Sequence, residues 1–138
     1  MALGLSAAGE VAFLVGRVLF GAVLAFTGLN HFLDADAMTG YAESKGLPAA
    51  RLSVLTSGGL LIVGGLLVAL GLFPLVGAGA LAAFLLVATP TMHDFWNVED
   101  PQQRRSEMTD FLKNVALFGT ALALLALAGE PWPYALSL

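Results

Sequence analysis

Cysteine is absent from this chain of 138 residues, which closes disulfides, thiolate metal sites, iron–sulfur clusters and dithiol redox chemistry to it acting alone. Charge is the second scarcity. Asp, Glu, Lys and Arg together make up 12% of the residues, about half the share found in ordinary soluble domains, so a water-facing surface cannot be covered. Only six residues are Lys or Arg, and the net charge is −4, which leaves no basic footprint for nucleic acid. Residues 1–9 contain no Lys or Arg, and Arg17 interrupts the first apolar run. Both features argue against a cleaved secretory signal, so the first apolar run is expected to stay in the protein. No nucleotide-binding glycine loop, Ser-His-Asp arrangement or HExxH pattern occurs.

What the chain has is apolar length. Hydrophobic residues make up 58% of it and its mean hydropathy is +0.84, values that suit lipid as the solvent. Between Arg51 and Asp94 lie 42 residues without an Asp, Glu, Lys or Arg. As one helix they would be about 63 Å long, against a hydrocarbon core of about 30 Å. The run must therefore break, and Gly71-Leu72-Phe73-Pro74 is the place: glycine tolerates a turn, and proline starts a helix but cannot continue one.

With the two flanking runs, this predicts an all-α, single-domain membrane protein over 1–138. It is a four-transmembrane-helix bundle with spans at roughly 11–33, 52–72, 75–96 and 111–129. Asp100-Pro101 reads as an N-cap followed by proline at the first helical position, so the fourth helix should start well before its apolar part. In the first loop, Asp34 or Asp36 can cap a short interfacial helix at roughly 35–45 that Gly46-Leu47-Pro48 stops. Trp96, and Trp132 with Tyr134, suit aromatic belts at opposite membrane faces. Five of the six basic residues (Lys45, Arg51, Arg104, Arg105 and Lys113) lie in or beside the first and third loops. The positive-inside rule then places the long loops in the cytoplasm and both termini outside. The glycines of the second span, Gly58-Gly59, Gly64-Gly65 and Gly71, with Gly77 and Gly79 of the third, predict tight packing between the arms of that hairpin.

Two places carry chemistry. Arg17 lies inside the first span and needs a partner, because a guanidinium in hydrocarbon costs roughly 2.5–3.5 kcal/mol on the lenient insertion scale. At 100° per residue it shares a face with Gly21, Leu24, Gly28 and His31. Two readings are open to it: a ligand-facing role, or snorkelling and bonding to backbone carbonyls.

The second place is Thr89-Pro90-Thr91-Met92-His93-Asp94-Phe95-Trp96-Asn97, where Thr89, His93 and Trp96 fall on one helical face. The topology brings the ends of spans one and three to the starts of two and four. Asn30, His31, Arg51, His93, Asp94, Lys113 and Asn114 then converge on one membrane side. Histidine titrates near neutrality, so this group suits anion binding, a proton relay or a quinone carbonyl; a structural hydrogen-bond network is the alternative. His31, His93 and their neighbouring carboxylates show no dense ligand spacing, so no metal is expected.

A resemblance enters here. Arg17-x-x-x-Gly21, Tyr41-Ala-Glu-Ser-Lys-Gly46-Leu-Pro48, Ser57-Gly58-Gly59, Met92-His93-Asp94-Phe95-Trp96 and Phe111-Leu-Lys113-Asn114-Val-Ala-Leu-Phe-Gly119 together resemble the DoxX family, from about residue 11 to 127. That resemblance implies a four-helix membrane protein linked to redox work. Relatives are associated with thiosulfate oxidation that feeds the quinone pool, and with membrane complexes joining oxidative-stress and sulfur-transfer enzymes. Many relatives carry a Glu before the paired glycines of span two, where this chain has Val54-Leu55-Thr56-Ser57.

The expectation is a small-ligand- or quinone-binding accessory subunit in the lipid bilayer, with no intrinsic cofactor, that supports a redox-enzyme partner. The alternatives are a quinone-linked oxidoreductase subunit in thiosulfate or sulfur oxidation, and a small transporter. An isolated colourless homodimer would favour the first reading, and a haem- or flavin-carrying partner the second.

Overall fold

The computed structural model describes residues 3–137 and is all-helical among them. Five helices follow in order: α1 (Ala7–Leu33), α2 (Ala35–Ser44), α3 (Ala50–Leu70), α4 (Pro74–Met92) and α5 (Pro101–Ala126), with a 3-10 turn at Phe95–Asn97. All except α2 are long and apolar enough to cross a membrane.

The helix ends follow the expected chemistry. Ser6 caps α1 by accepting from the Gly9 amide at 3.1 Å, and Asp100 caps α5 by accepting from the Gln103 amide at 2.9 Å, with Pro101 at the first helical position. Helix α2 ends at Gly46 (φ +76°), where the Leu47 amide reaches the Ala42 carbonyl and the Gly46 amide the Glu43 carbonyl. Helix α3 ends in the same way at Gly71 (φ +74°), with Leu72 bonded to Leu67. Pro74 then starts α4, so the uncharged run turns back within a few residues.

Helix α1 packs on α3, α3 on α4 and α4 on α5, while α1 and α5 make no comparable contact. The buried residues of α1 are Arg17, Gly21, Leu24, Gly28 and His31, the face that the helical period picks out. That face lies against α3, and it changes the account of the glycines. Gly58 meets Gly28 and His31, and Gly65 meets Gly21, all on α1; only Gly64 meets Gly77 and Leu81 across the α3–α4 hairpin. Gly59 faces open space. The tightest seam is therefore α1–α3 rather than the hairpin expected from sequence, because Gly21 and Gly28 share the seven-residue spacing of Gly65 and Gly58 and run antiparallel to them.

Residues 131–136 fold back over the end of the bundle that carries the termini. Arg17, 2% exposed, donates from Nη1 to the Pro133 carbonyl (2.6 Å) and from Nη2 to the Tyr134 carbonyl (3.0 Å). Its guanidinium stands 5.7 Å from the ring centroids of both Phe13 and Trp132. The Leu136 amide bonds to the Leu70 carbonyl at 3.0 Å. Trp132 was expected in an aromatic belt, but it is buried: its indole N–H donates to Leu127 and its ring meets Phe13 edge-on. The guanidinium draws this segment inward because its carbonyls are the partners a charge in hydrocarbon requires.

Three substitutions test this packing. A methyl on Gly28 would stand 2.5 Å from the Gly58 carbonyl oxygen and 2.8 Å from Leu61 Cβ, so Gly28→Ala should cost about 1–3 kcal/mol or more. Gly59→Ala should leave the melting temperature in detergent unchanged or raised, and an equal loss from both changes would remove the α1–α3 seam. Arg17→Leu should insert normally but melt lower, by roughly 1–3 kcal/mol, because two inward-facing carbonyls lose their donor.

Candidate functional site

At the opposite end, which carries the two long loops, the helices enclose a cavity of about 480 Å³, within the range of small-molecule sites. It lies where α1 and α5 fail to close on each other. Val23, Leu24, Phe84, Leu85 and Leu117 form its apolar inner wall, and Met38, Tyr41, Ala42 and Leu47, from α2 and the loop after it, cover it. His31, Asp34, Tyr41, His93, Lys113 and Asn114 supply its polar groups.

Each polar group is placed by its helix. His31, one turn from the end of α1 and 7% exposed, has Nδ1 at 3.0 Å from the Val54 carbonyl and 3.1 Å from Ser57 Oγ. The Gly28–Gly58 contact brings those two backbones close enough for that bond. His93 stands just past the end of α4, with Nδ1 at 2.8 Å from Glu107 Oε2. The Tyr41 hydroxyl donates to Glu107 Oε1 at 2.5 Å, with the Met92 carbonyl oxygen as a second acceptor at 3.0 Å. Glu107 is buried, and it ties α2, α4 and α5 together through these two donors. Beside them Lys45 Nζ pairs with Asp94 Oδ1 at 2.6 Å, and Asn97 donates to the other Asp94 oxygen at 3.2 Å.

Burial, together with the Glu107 carboxylate that accepts its hydrogen, pushes the Tyr41 phenol above its ordinary range. Tyr41 therefore holds its proton to higher pH than an exposed phenol would.

The candidate residues read from the sequence divide into two groups. His31, His93, Lys113 and Asn114 line the cavity, and the Asn114 amide has no protein partner among the described residues. The others lie elsewhere. Arg17 sits at the other end of the bundle, on backbone carbonyls. Arg51 pairs with Asp36 at the exposed surface, and Asp94 is held by Lys45 outside the cavity lining. Asn30 is half-buried outside the lining, and Thr89 is buried behind it toward α5. The helical face expected to join Thr89, His93 and Trp96 ends at Met92. The backbone then passes into the 3-10 turn, where the Asn97 amide bonds to the Asp94 carbonyl, and Trp96 is left 54% exposed against Phe95 and Phe111.

Sequence reasoning missed Glu107, Tyr41 and Lys45. Glu107 falls between the Asp100-Pro101 start of the fourth helix and its apolar part, outside the residues expected to converge. A signal was nevertheless present, because Glu107, Asn114 and Ala121 are spaced by seven residues and so share one face of α5.

Ligand atoms of His93, Glu107 and Asp110 lie within 4.8 Å of one another, the closest approach to a metal-binding group among the described residues. The hydrogen bonds from Tyr41 and His93 account for the Glu107 position, and a cation there would have to displace the His93 Nδ1 hydrogen.

Comparison with known proteins adds one decisive observation: residues 12–94 match the DoxX family model. The chain belongs to the DoxX family. The match spans α1 to α4, three walls of the cavity and its α2 cover, whereas Glu107, Lys113 and Asn114 on α5 lie beyond it. No curated protein and no solved structure matches the chain. Together the match and the four apolar helices make this DoxX protein a multi-pass membrane protein.

The raised Tyr41 phenol has a signed consequence. The unfolded chain gives up this proton at the ordinary phenol value of about 10, and the folded chain holds it longer, so stability is full below pH 10 and falls as the pH rises beyond it. Tyr41→Phe should remove a late-ionising step from the near-ultraviolet titration and flatten the alkaline fall in melting temperature. An unchanged titration in the variant would show that Tyr41 is not the withheld phenol.

Proposed function

We propose that this DoxX protein is a membrane-embedded accessory subunit that binds a small, mostly apolar molecule with a polar head, quinone-like in shape. It holds that molecule at the loop-side membrane boundary for a redox partner. The observation that carries this reading is the division of the cavity: carbon-lined against Leu24, Phe84, Leu85 and Leu117, polar around His31, His93, Lys113 and Asn114. A ring or short chain in the inner part would remove apolar surface from water, at about 25 cal/mol per Å², while the polar groups orient the head. The gap between α1 and α5 offers entry from the lipid. With no cysteine in the chain, electrons would be handled by the partner or by the ligand itself. The long loops, in or beside which five of the six basic residues lie, would face the cytoplasm.

The binding reading draws more support than a transport reading. Arg17, the intramembrane charge that a transport pathway would use, helps close the far end of the bundle by holding residues 133–134 across it.

Filling the cavity is the test. Ala88 lines it from α4, and Ala88→Phe should place a ring in free space with little effect on melting temperature. Native mass spectrometry of gently extracted protein should show a retained small molecule on the wild type and none on Ala88→Phe. Equal retention by both would put the ligand outside the cavity and end this reading.

A further inference from the structure

We propose that the cavity selects ligands carrying a hydroxyl group, a phenol or reduced hydroquinone rather than the corresponding dione, and that Nε2 of His31 accepts its hydrogen. The inference rests on the cavity-binding reading and names the ligand class.

A backbone carbonyl can only accept, so the contact between His31 Nδ1 and the Val54 carbonyl oxygen at 3.0 Å fixes the ring hydrogen on Nδ1. Ser57 reinforces that assignment, because its hydroxyl donates to the same carbonyl at 2.9 Å and leaves its oxygen to accept from His31. In the neutral ring Nε2 is then a bare acceptor, and it has no protein partner among the described residues. The residue is 7% exposed, lines the cavity, and meets Phe84 edge-on with ring centroids 6.2 Å apart, so its orientation is set before any ligand arrives. An accessible acceptor at the wall of a mostly apolar cavity is complemented by a donor that the ligand brings in place of water. A quinone carbonyl would oppose lone pair to lone pair, whereas a hydroxyl complements it. His93, held by Nδ1 on Glu107, presents the same polarity when its ring is neutral.

A matched probe pair tests the hydrogen bond separately from the cavity. para-tert-Butylphenol and para-tert-butylanisole share an apolar body, but only the phenol can donate. Their affinities for the full-length protein would be measured by calorimetry, with free concentrations corrected for partition into detergent, and compared with Ala88→Phe. The phenol should bind roughly five- to tenfold tighter than the anisole, the worth of one net hydrogen bond, and both should be lost in Ala88→Phe. His31→Phe should bring the ratio to about one. If that variant does not fold, nitrogen NMR of the wild-type imidazole gives the same reading, with the Nε2 resonance moving on addition of phenol and not of anisole. Equal affinity for both probes, lost in Ala88→Phe, would overturn the hydroxyl preference and leave the cavity reading standing. Absence of binding by either probe, or binding that survives Ala88→Phe, would overturn both.

Discussion

Gly21 against Gly65, and Gly28 against Gly58, let α1 and α3 meet backbone to backbone, closer than any side chain would allow, and the rest of the bundle is arranged around that contact. Lipid supplies no hydrophobic drive between helices, so close van der Waals approach must hold this pair. The approach brings His31 within reach of the Val54 carbonyl and so fixes the imidazole. It also commits the inward face of α1 to α3. Helix α5, docked on α4, is left without a counterpart on α1, and the cavity is the space between them.

The two ends of the bundle answer the same electrostatic demand differently. At the terminus side one cation is buried; backbone carbonyls accept from its two Nη atoms and aromatic rings flank it, while Nε has no partner among the described residues. At the loop side several polar groups are spread across four elements. Glu107 gathers Tyr41 and His93, Lys45 holds Asp94, and Asn114 is left without a protein partner among the described residues. One end spends its polar groups on itself, while the other keeps nitrogen atoms free toward a cavity. That difference gives the molecule a direction, with a cavity at one boundary and a packed end at the other.

Much of this was legible beforehand. The charge-free run and Gly71-Leu72-Phe73-Pro74 gave the α3–α4 hairpin, and Asp100-Pro101 gave the early start of α5, since caps and breakers act within a few residues. The inward face of α1 followed from period alone. The convergence of His31, His93, Lys113 and Asn114 followed from topology. The partners were less legible: the glycines of α3 were assigned to α4 but meet α1 at Gly58 and Gly65, and Trp132 was assigned to a membrane belt but is buried.

The sequence by itself determined the four spans, the break at Gly71–Pro74, the Asp100 cap, the family, and which end of the bundle would hold the polar groups; the cap expected from Asp34 or Asp36 on α2 is not made, since Asp34 stands at the N-cap without a side-chain bond. Those features depend on composition and on spacing within one helix, which neighbouring residues settle among themselves. Only the tertiary structure decided that Arg17 serves packing, that Glu107 is the hub of the loop side, and that α1 and α5 stand apart over a cavity. Each depends on which helix faces which and at what distance. That is fixed by the summed fit of small residues and buried polar pairs across segments far apart in the chain, which no local window contains.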